Sequence, residues 1–462
     1  MLATAVAMVA GSVTAGAANP PPETGTIDGA NFLIEMPATW NGTLVLYSHG
    51  YVVPGKPLTA VDVGDPATRA WLLANGYAIA GSSYSVNGWA VQAALHDQIA
   101  LLDHFTAEHG KPLRTVAWGH SLGGMITAGL IQRNPERFAG AIPMCGVVAG
   151  GVGVWNQGLD AEFVLKTLAP EPLAAALQLV NITNIGFGST SNFAIAEGVA
   201  FQEQSTPQGR ARLALVAAIG DTPGWFNTAL PEPAPSDFAA RELNQYMWDS
   251  QVDFPFLFAL RADLEAHAGG NPSWNTGVDY RAQFDKSINK AEVEALYAQA
   301  GLDLNADFAK LAAAPRIAAN AGALSYLSKY IVYNGQIETP VLTMHTIGDG
   351  LVLPQDEQAY RSVVGSQDNS DLLRQTFVHR AGHCAFTPAE TVTAFRTLIH
   401  RLDTGSWVDS TKAEPMNEAS AALGPGFNTF DGKTVVDPSF VQFHPSVFMR
   451  PFDARNLDGG EA

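Results

Sequence analysis

Thr115-Val116-Ala117-Trp118-Gly119-His120-Ser121-Leu122-Gly123-Gly124 is an apolar run that ends in a glycine-flanked serine and passes straight into a helical pattern. A buried strand followed at once by a helix forces the chain through a sharp turn, with Ser121 strained at its tip. Side chains at 119 and 123 would collide across such a turn, which accounts for the glycines. The hydroxyl then stands beside a helix N-terminus, where free backbone N–H groups can hold an oxyanion. The chemistry implied is acyl transfer, most simply hydrolysis. A helix-capping serine in a glycine-rich turn would read the same over ten residues, so the surroundings decide.

Working outward, strand and helix patterns alternate. Apolar runs at 32–36, 44–47, 78–83, 115–118 and 140–145 read as strands, and 65–75, 90–108 and 122–133 as helices. The alternation resumes with a strand at 340–345, a helix over 354–364, a strand at 375–379 and a helix over 388–402. That last helix has Thr387 as N-cap and Glu390 three residues on, a capping-box pattern. Such alternation predicts an α/β protein, a mostly parallel sheet flanked by helices on both faces. Between the two halves, 147–337 is rich in Ala, Leu and amphipathic helix signals and is expected to form a large helical cap insertion. Gly150-Gly151-Val152-Gly153 at its start lacks the third glycine of a dinucleotide fingerprint and reads as a flexible hinge. The predicted catalytic core is 25–146 with 338–405, and 406–462 is expected to wrap over the surface.

A serine hydroxyl is a weak nucleophile at neutral pH and needs a base, itself oriented by an acid. Asp349, in Thr346-Ile347-Gly348-Asp349-Gly350, follows a buried strand and precedes a helix. His383, in Arg380-Ala381-Gly382-His383-Cys384, lies between the last strand and the capped helix. His379 falls inside that strand, His345 inside the strand before Asp349, and His400 inside the last helix, so His383 is the base expected. Leu122 supplies one oxyanion N–H. The second is expected from Ser48-His49-Gly50-Tyr51, with Tyr51 as donor and Gly50 as the fallback. Tyr84, Trp89 and Trp155 are the candidate substrate contacts.

With these elements in the order Ser, acid, His, the chain resembles the α/β-hydrolase superfamily over the two core segments. The resemblance rests on Ser48-His49-Gly50, Gly119-His120-Ser121-Leu122-Gly123-Gly124, Gly348-Asp349 and Gly382-His383. It implies a serine hydrolase without a cofactor, usually acting on esters, with lids entering where the insertion begins. A narrower, partial similarity is to tannase and feruloyl esterase enzymes, in which a cysteine before the serine is bridged to one after the histidine. Cys384 follows His383 in that manner, but His120 precedes Ser121. Cys145 ends the strand next to the nucleophile strand and could reach Cys384 instead; two buried free thiols are the alternative.

The 462 residues are 47% hydrophobic and 15% charged, the composition of a folded chain with a large core. A net charge of −18 argues against nucleic-acid and anionic-membrane partners. Residues 1–18 are apolar, then small, and end in an Ala-x-Ala pattern, as in a secretory signal peptide without its basic start. The expected location is therefore extracellular, without stable membrane insertion. There is no His-Glu-x-x-His and no P-loop, and no metal is expected. The leading expectation is a secreted carboxylic ester hydrolase acting on a small-molecule or polymer ester. The alternatives are an exopeptidase or amidase of the same fold and, remotely, an inactive hydrolase fold used for binding.

Overall fold

Leu44, Val45 and Leu46 are fully buried, as a run apolar on both sides must be when a strand has neighbours and helices all round it. In the computed structural model, which describes residues 18–407, 411–430 and 432–458, this run is one of eleven strands. They are β1 (Glu23–Ile27), β2 (Ala30–Glu35), β3 (Thr43–Ser48), β4 (Ala78–Ser82), β5 (Arg114–His120), β6 (Gly140–Met144), β7 (Val341–Gly348), β8 (Leu373–Ala381), β9 (Thr429–Phe430), β10 (Thr434–Val435) and β11 (Phe440–Val441). Nine form one sheet in the order β1-β2-β4-β3-β5-β6-β7-β8-β11, while β9 and β10 pair separately. The six strands from β4 to β8 are parallel, and β1, β2 and β11 add antiparallel edges. The chain steps outward from β3 to β4, then returns to the other side of β3 with β5. That reversal opens a crevice at the carboxyl ends of β3 and β5, where ligands bind in open α/β sheets.

Alternate residues of each strand serve opposite layers. Leu46, Ala80 and Ala117 pack under α2 (Val91–His109) and α3 (Leu122–Arg133), against Leu101, Phe105, Met125 and Ile126. Val45, Ile79 and Val116 face α1 (Pro66–Ala74) and the helix Pro388–Thr404, against Leu72, Phe395 and Leu398. The result is the α/β-hydrolase fold.

Between β6 and β7 the chain runs through helices without a strand, from α4 (Gly151–Leu168) to Ala321–Tyr330. These helices close on their own core, with Phe163, Leu215, Phe258, Phe284 and Tyr297 buried together. At the start of α4, a Cβ on Gly153 would lie 3.0 Å from the Arg450 carbonyl oxygen and 3.1 Å from the Phe448 ring. That glycine makes room for the C-terminal segment, a packing role the sequence reading of a hinge did not include. The segment does more than coat the surface. Its β11 extends the sheet, Phe448 is buried, and Arg450 Nη1 reaches Asp160 Oδ2 of α4 at 2.6 Å.

The expected leader at 1–18 lies, but for Ala18, outside the described residues. No helix among the described residues is long and apolar enough to cross a membrane.

Candidate active site

Ser121 sits between β5 and α3 with φ 58° and ψ −124°, a backbone conformation that L-residues avoid. The turn is held by Ser121 N–H donating to Met144 O of β6 and by Gly124 and Met125 donating to Ser121 O. A Cβ on Gly123 would stand 1.9 Å from Ser48 O, and one on Gly119 2.3 Å from Gly123 O, so the turn excludes any side chain there. Leu122, the first residue of α3, is buried against the same cavity that Ser121 lines.

Asp349 follows β7 and is fully buried. Its Oδ1 accepts from the N–H groups of Leu351 and Val352 at 3.1 and 3.0 Å, and its Oδ2 lies 2.8 Å from His383 Nδ1. With a carboxylate on Nδ1, the imidazole carries its proton there and leaves Nε2 as the acceptor. His383 Nε2 also stands 3.4 Å from Cys384 Sγ. The loop carrying it is pinned from several sides. Gly382 N–H donates to Gly348 O, and Thr346 Oγ1 to Gly382 O. Arg380 donates to Ala385 O and to both oxygens of Glu390. Glu390 completes the capping box with Thr387.

Cys145 and Cys384 form a disulfide with Cα atoms 5.3 Å apart. Because Cys145 follows Met144, which holds Ser121 N–H, the bridge ties the histidine loop to the strand that supports the serine. The two sulfurs and a His383 nitrogen lie within 4.8 Å of one another, but a disulfide has no thiolate to offer a metal.

Two further histidines differ in charge. His120 is half-buried, 3.1 Å from Tyr47 Oη; desolvation and then the proximity of His383 depress its pKa to about 4, so it is neutral at pH 7. His345 Nδ1 faces Glu357 Oε1 at 3.2 Å, and its Nε2 faces Val352 O at 2.8 Å and Asp349 Oδ2 at 3.6 Å. Every neighbour is an acceptor, so both nitrogens must donate and the ring is an imidazolium. Burial opposes that charge, but the bond to Glu357 and the charges of Glu357 and Asp349 outweigh it and raise the pKa to about 9.

On the other side of the serine, Gly50 presents its Cα to Ser121, a Cβ there falling 3.3 Å from the Ser121 Cβ. The Tyr51 ring lines the cavity and its Oη donates to Asp263 Oδ2 at 3.0 Å. Trp89 and Trp155 line the cavity edge to face, with centroids 5.4 Å apart. Tyr84 does not line it. The Tyr84 ring stacks on His49 at 4.0 Å, and its Oη donates to His49 O, so it braces the Gly50–Tyr51 turn from beneath. Its position is a correction to its reading as a substrate contact: with φ 57° the backbone turns the side chain inward.

The cavity measures 140 Å³ and also holds residues that sequence reasoning did not single out: Phe448 from the C-terminal segment, Asp356, Asp249 and Asp253. Glu162 of α4 lines it too. Asp249–Asp253 is a π-helical turn, with Phe254 N–H donating to Asp249 O. Pro255 cannot donate within a helix, and the wider turn absorbs that loss. The legible signal was polar residues inside an apolar helix, as at Asn156, Gln157, Asp160 and Glu162 of α4, all buried.

The fold, the strained serine at the end of β5 and the Asp349–His383 pair define a serine hydrolase of the α/β-hydrolase type. The chain is 30% identical over 435 residues to an o-phthalyl amidase of Xanthobacter agilis, covering 88% of this chain and 93% of that protein, and belongs to the same family. The prolyl oligopeptidase family model matches residues 83–150, from the end of β4 through Ser121 to the start of the insertion. Among solved structures, similarity extends to feruloyl esterase B of Aspergillus oryzae, with 13% identity, a TM-score of 0.37 and 82% and 79% of the two chains covered. A serine hydrolase of Cycloclasticus zankles shows 14% identity, a TM-score of 0.32 and 88% and 99% coverage.

Proposed function

We propose that this protein hydrolyses carboxylic amides, and the corresponding esters more readily, through an acyl-enzyme on Ser121. His383 Nε2 takes the Ser121 proton as Oγ attacks the acyl carbon. Asp349 holds the ring in the required tautomer, and the N–H groups of Leu122 and Tyr51 receive the oxyanion. His383 then returns the proton to the departing amine or alcohol, and water repeats the sequence to release the acid. The observation that carries this reading is the 2.8 Å Asp349–His383 contact, clamped by the disulfide to the strand that holds the φ 58° serine.

The relative named o-phthalyl amidase puts amide cleavage ahead of the ester cleavage that the sequence suggested first. The two differ in the leaving group: an amine must be protonated as it departs, whereas an alkoxide leaves more easily, so an amidase of this type also cleaves esters. A cavity of 140 Å³ suits a small acyl group and favours a small-molecule substrate over a polymer. The disulfide fits an oxidising compartment and supports export.

The test is turnover of an anilide and an ester of the same acyl group, by the wild-type protein and by Ser121→Ala. Both substrates should be cleaved, the ester faster, and the variant should lose roughly 10⁴-fold or more in kcat on each. Turnover that survives the substitution would overturn the mechanism. Ester cleavage with no anilide cleavage would return the protein to the esterase reading.

A further inference from the structure

Tyr51 and Trp89 stand on different loops of the core, after β3 and after β4, yet one carboxylate of the insertion holds both. Asp263, on the helix Arg261–Ala268, accepts from Tyr51 Oη at 3.0 Å and from the Trp89 N–H at 2.7 Å, both on Oδ2. The backbone makes room for it: Gly88 has φ 88°, and a Cβ there would stand 2.4 Å from each Asp263 oxygen. Gly88 N–H donates in turn to Val52 O at 2.8 Å, which joins the two loops. Asp263 Oδ1 meets His267 Nε2 at 3.3 Å, one turn along the same helix. That helix is anchored within the insertion. Arg261 Nη2 donates to Asn271 Oδ1 at 3.1 Å, and Glu265 accepts from the N–H groups of Asn181 and Ile182. Phe256, also of the insertion, packs edge to face on the Tyr51 ring with centroids 5.3 Å apart.

The N–H of Tyr51 shares its planar, trans peptide group with Gly50 O, so the two point in opposite directions. Gly50 O can only accept, and it does so from His49 Nδ1 at 2.7 Å. That peptide is thus fixed at its carbonyl by His49 and, through the Tyr51 side chain, by Asp263. Bonds to a charged acceptor in a largely desolvated place are stronger than neutral ones, and the Asp263 side chain is only 15% exposed. Asp263 does not line the cavity, so it acts on the site through the two loops it holds. Tyr51 Oη is engaged by the carboxylate, which leaves the backbone N–H rather than the hydroxyl for an oxyanion.

We propose that Asp263 is a positioning residue for the reaction at Ser121: supplied by the insertion, it sets the Tyr51 amide for the oxyanion and the Trp89 wall for the acyl group. The insertion then does more than cover the serine, because the oxyanion hole of the core is complete only with the helix Arg261–Ala268 docked. This deepens the preceding proposal and rests on its assignment of Ser121 as nucleophile and of the Tyr51 N–H as oxyanion donor. Such a donor acts on charge that develops only in the transition state. Misplacing it lowers kcat and leaves ground-state binding little changed.

Hydrolysis of 4-nitrophenyl acetate by the full chain tests this, each variant assayed below the onset of its own unfolding. Asp263→Ala should lower kcat by at least about tenfold, up to the roughly 10²–10³ that loss of an oxyanion donor costs, with KM changed by less than about twofold. Inhibition by phenylboronic acid, whose tetrahedral adduct places an oxygen in the hole, should weaken in parallel with kcat. Asp263→Asn keeps one oxygen that can accept from both Tyr51 and Trp89, and should recover most of the lost rate. Tyr51→Phe breaks the same bond from the other side and should by itself lower kcat at unchanged KM, which keeps the test usable should Asp263→Ala fail to fold. An unchanged kcat in both Asp263→Ala and Tyr51→Phe overturns the proposal. So does a loss carried by KM, a boronate affinity that stays at the wild-type value, or an asparagine variant no better than the alanine one. Labelling of wild-type Ser121 by a neutral fluorophosphonate separates the two proposals. No labelling removes the nucleophile assignment, while labelling together with wild-type kcat in the variants removes the positioning role alone.

Discussion

Asp349 receives more than His383: two backbone N–H groups sit on one of its oxygens, and the His345 imidazolium lies 3.6 Å from the other. His345 therefore balances two buried carboxylates, Asp349 and Glu357, and acts on the reaction by positioning the acid rather than by touching substrate. Replacing it with glutamine leaves both carboxylates without their cation. His345→Gln should lose about 3–5 kcal/mol of stability, the usual cost of removing one partner of a buried ion pair. The pH dependence separates this from mere packing loss. A histidine that titrates near 9 when folded and near 6.5 when unfolded stabilises fully below 6.5, and that contribution disappears as pH rises through 9. Urea denaturation between pH 6.5 and 9 should show falling stability in the wild type, on the order of 3 kcal/mol from this group, and a flatter profile in the variant. Parallel profiles would mean that His345 is neutral in the fold.

At the scale of elements, the site depends on three strand ends, β3, β5 and β7, and on the loop after β8. Three of these are set by sheet register, with Ser48 opposite Gly119 and His120 opposite Met144. The histidine loop lies at the end of the parallel array and is fixed instead by the Cys145–Cys384 bridge and by Arg380–Glu390. Cys145→Ser with Cys384→Ser should lower stability by about 2–5 kcal/mol. It should also lower kcat at temperatures where the variant remains fully folded, because His383 loses its tether. An unchanged denaturation midpoint, or an activity loss that only tracks unfolding, would refute that role. The elements differ in how far they could be read in advance. Strands β3, β4 and β6 were legible because a strand buried on both faces is apolar through its middle, and the capped helix because Thr387 and Glu390 stand at the box spacing. Tyr84 misled because an aromatic after a strand end looks like a site residue until its positive φ is known. Asp249 and Asp253 were illegible because a π-helical turn places residues by a period that neither the strand nor the helix template contains. Phe448 was illegible because only the three-dimensional path of a segment without periodicity carries it to the cavity.

Taken as a whole, the molecule is acidic twice over: −18 in net charge, and with carboxylic acids buried where their charge is costly. Burial raises Asp249 to about 7 and Asp221 to about 8, against 3.8 for an ordinary aspartate. Between those limits the folded chain holds protons that the unfolded chain has released, so stability falls as pH rises. His345 extends the decline from 6.5 to 9. The protein should therefore be more stable at pH 5 than at pH 8, by several kcal/mol in denaturant titrations at constant ionic strength. Greater stability at pH 8 than at pH 5 would mean that the buried carboxylates are ionised and paired in solution.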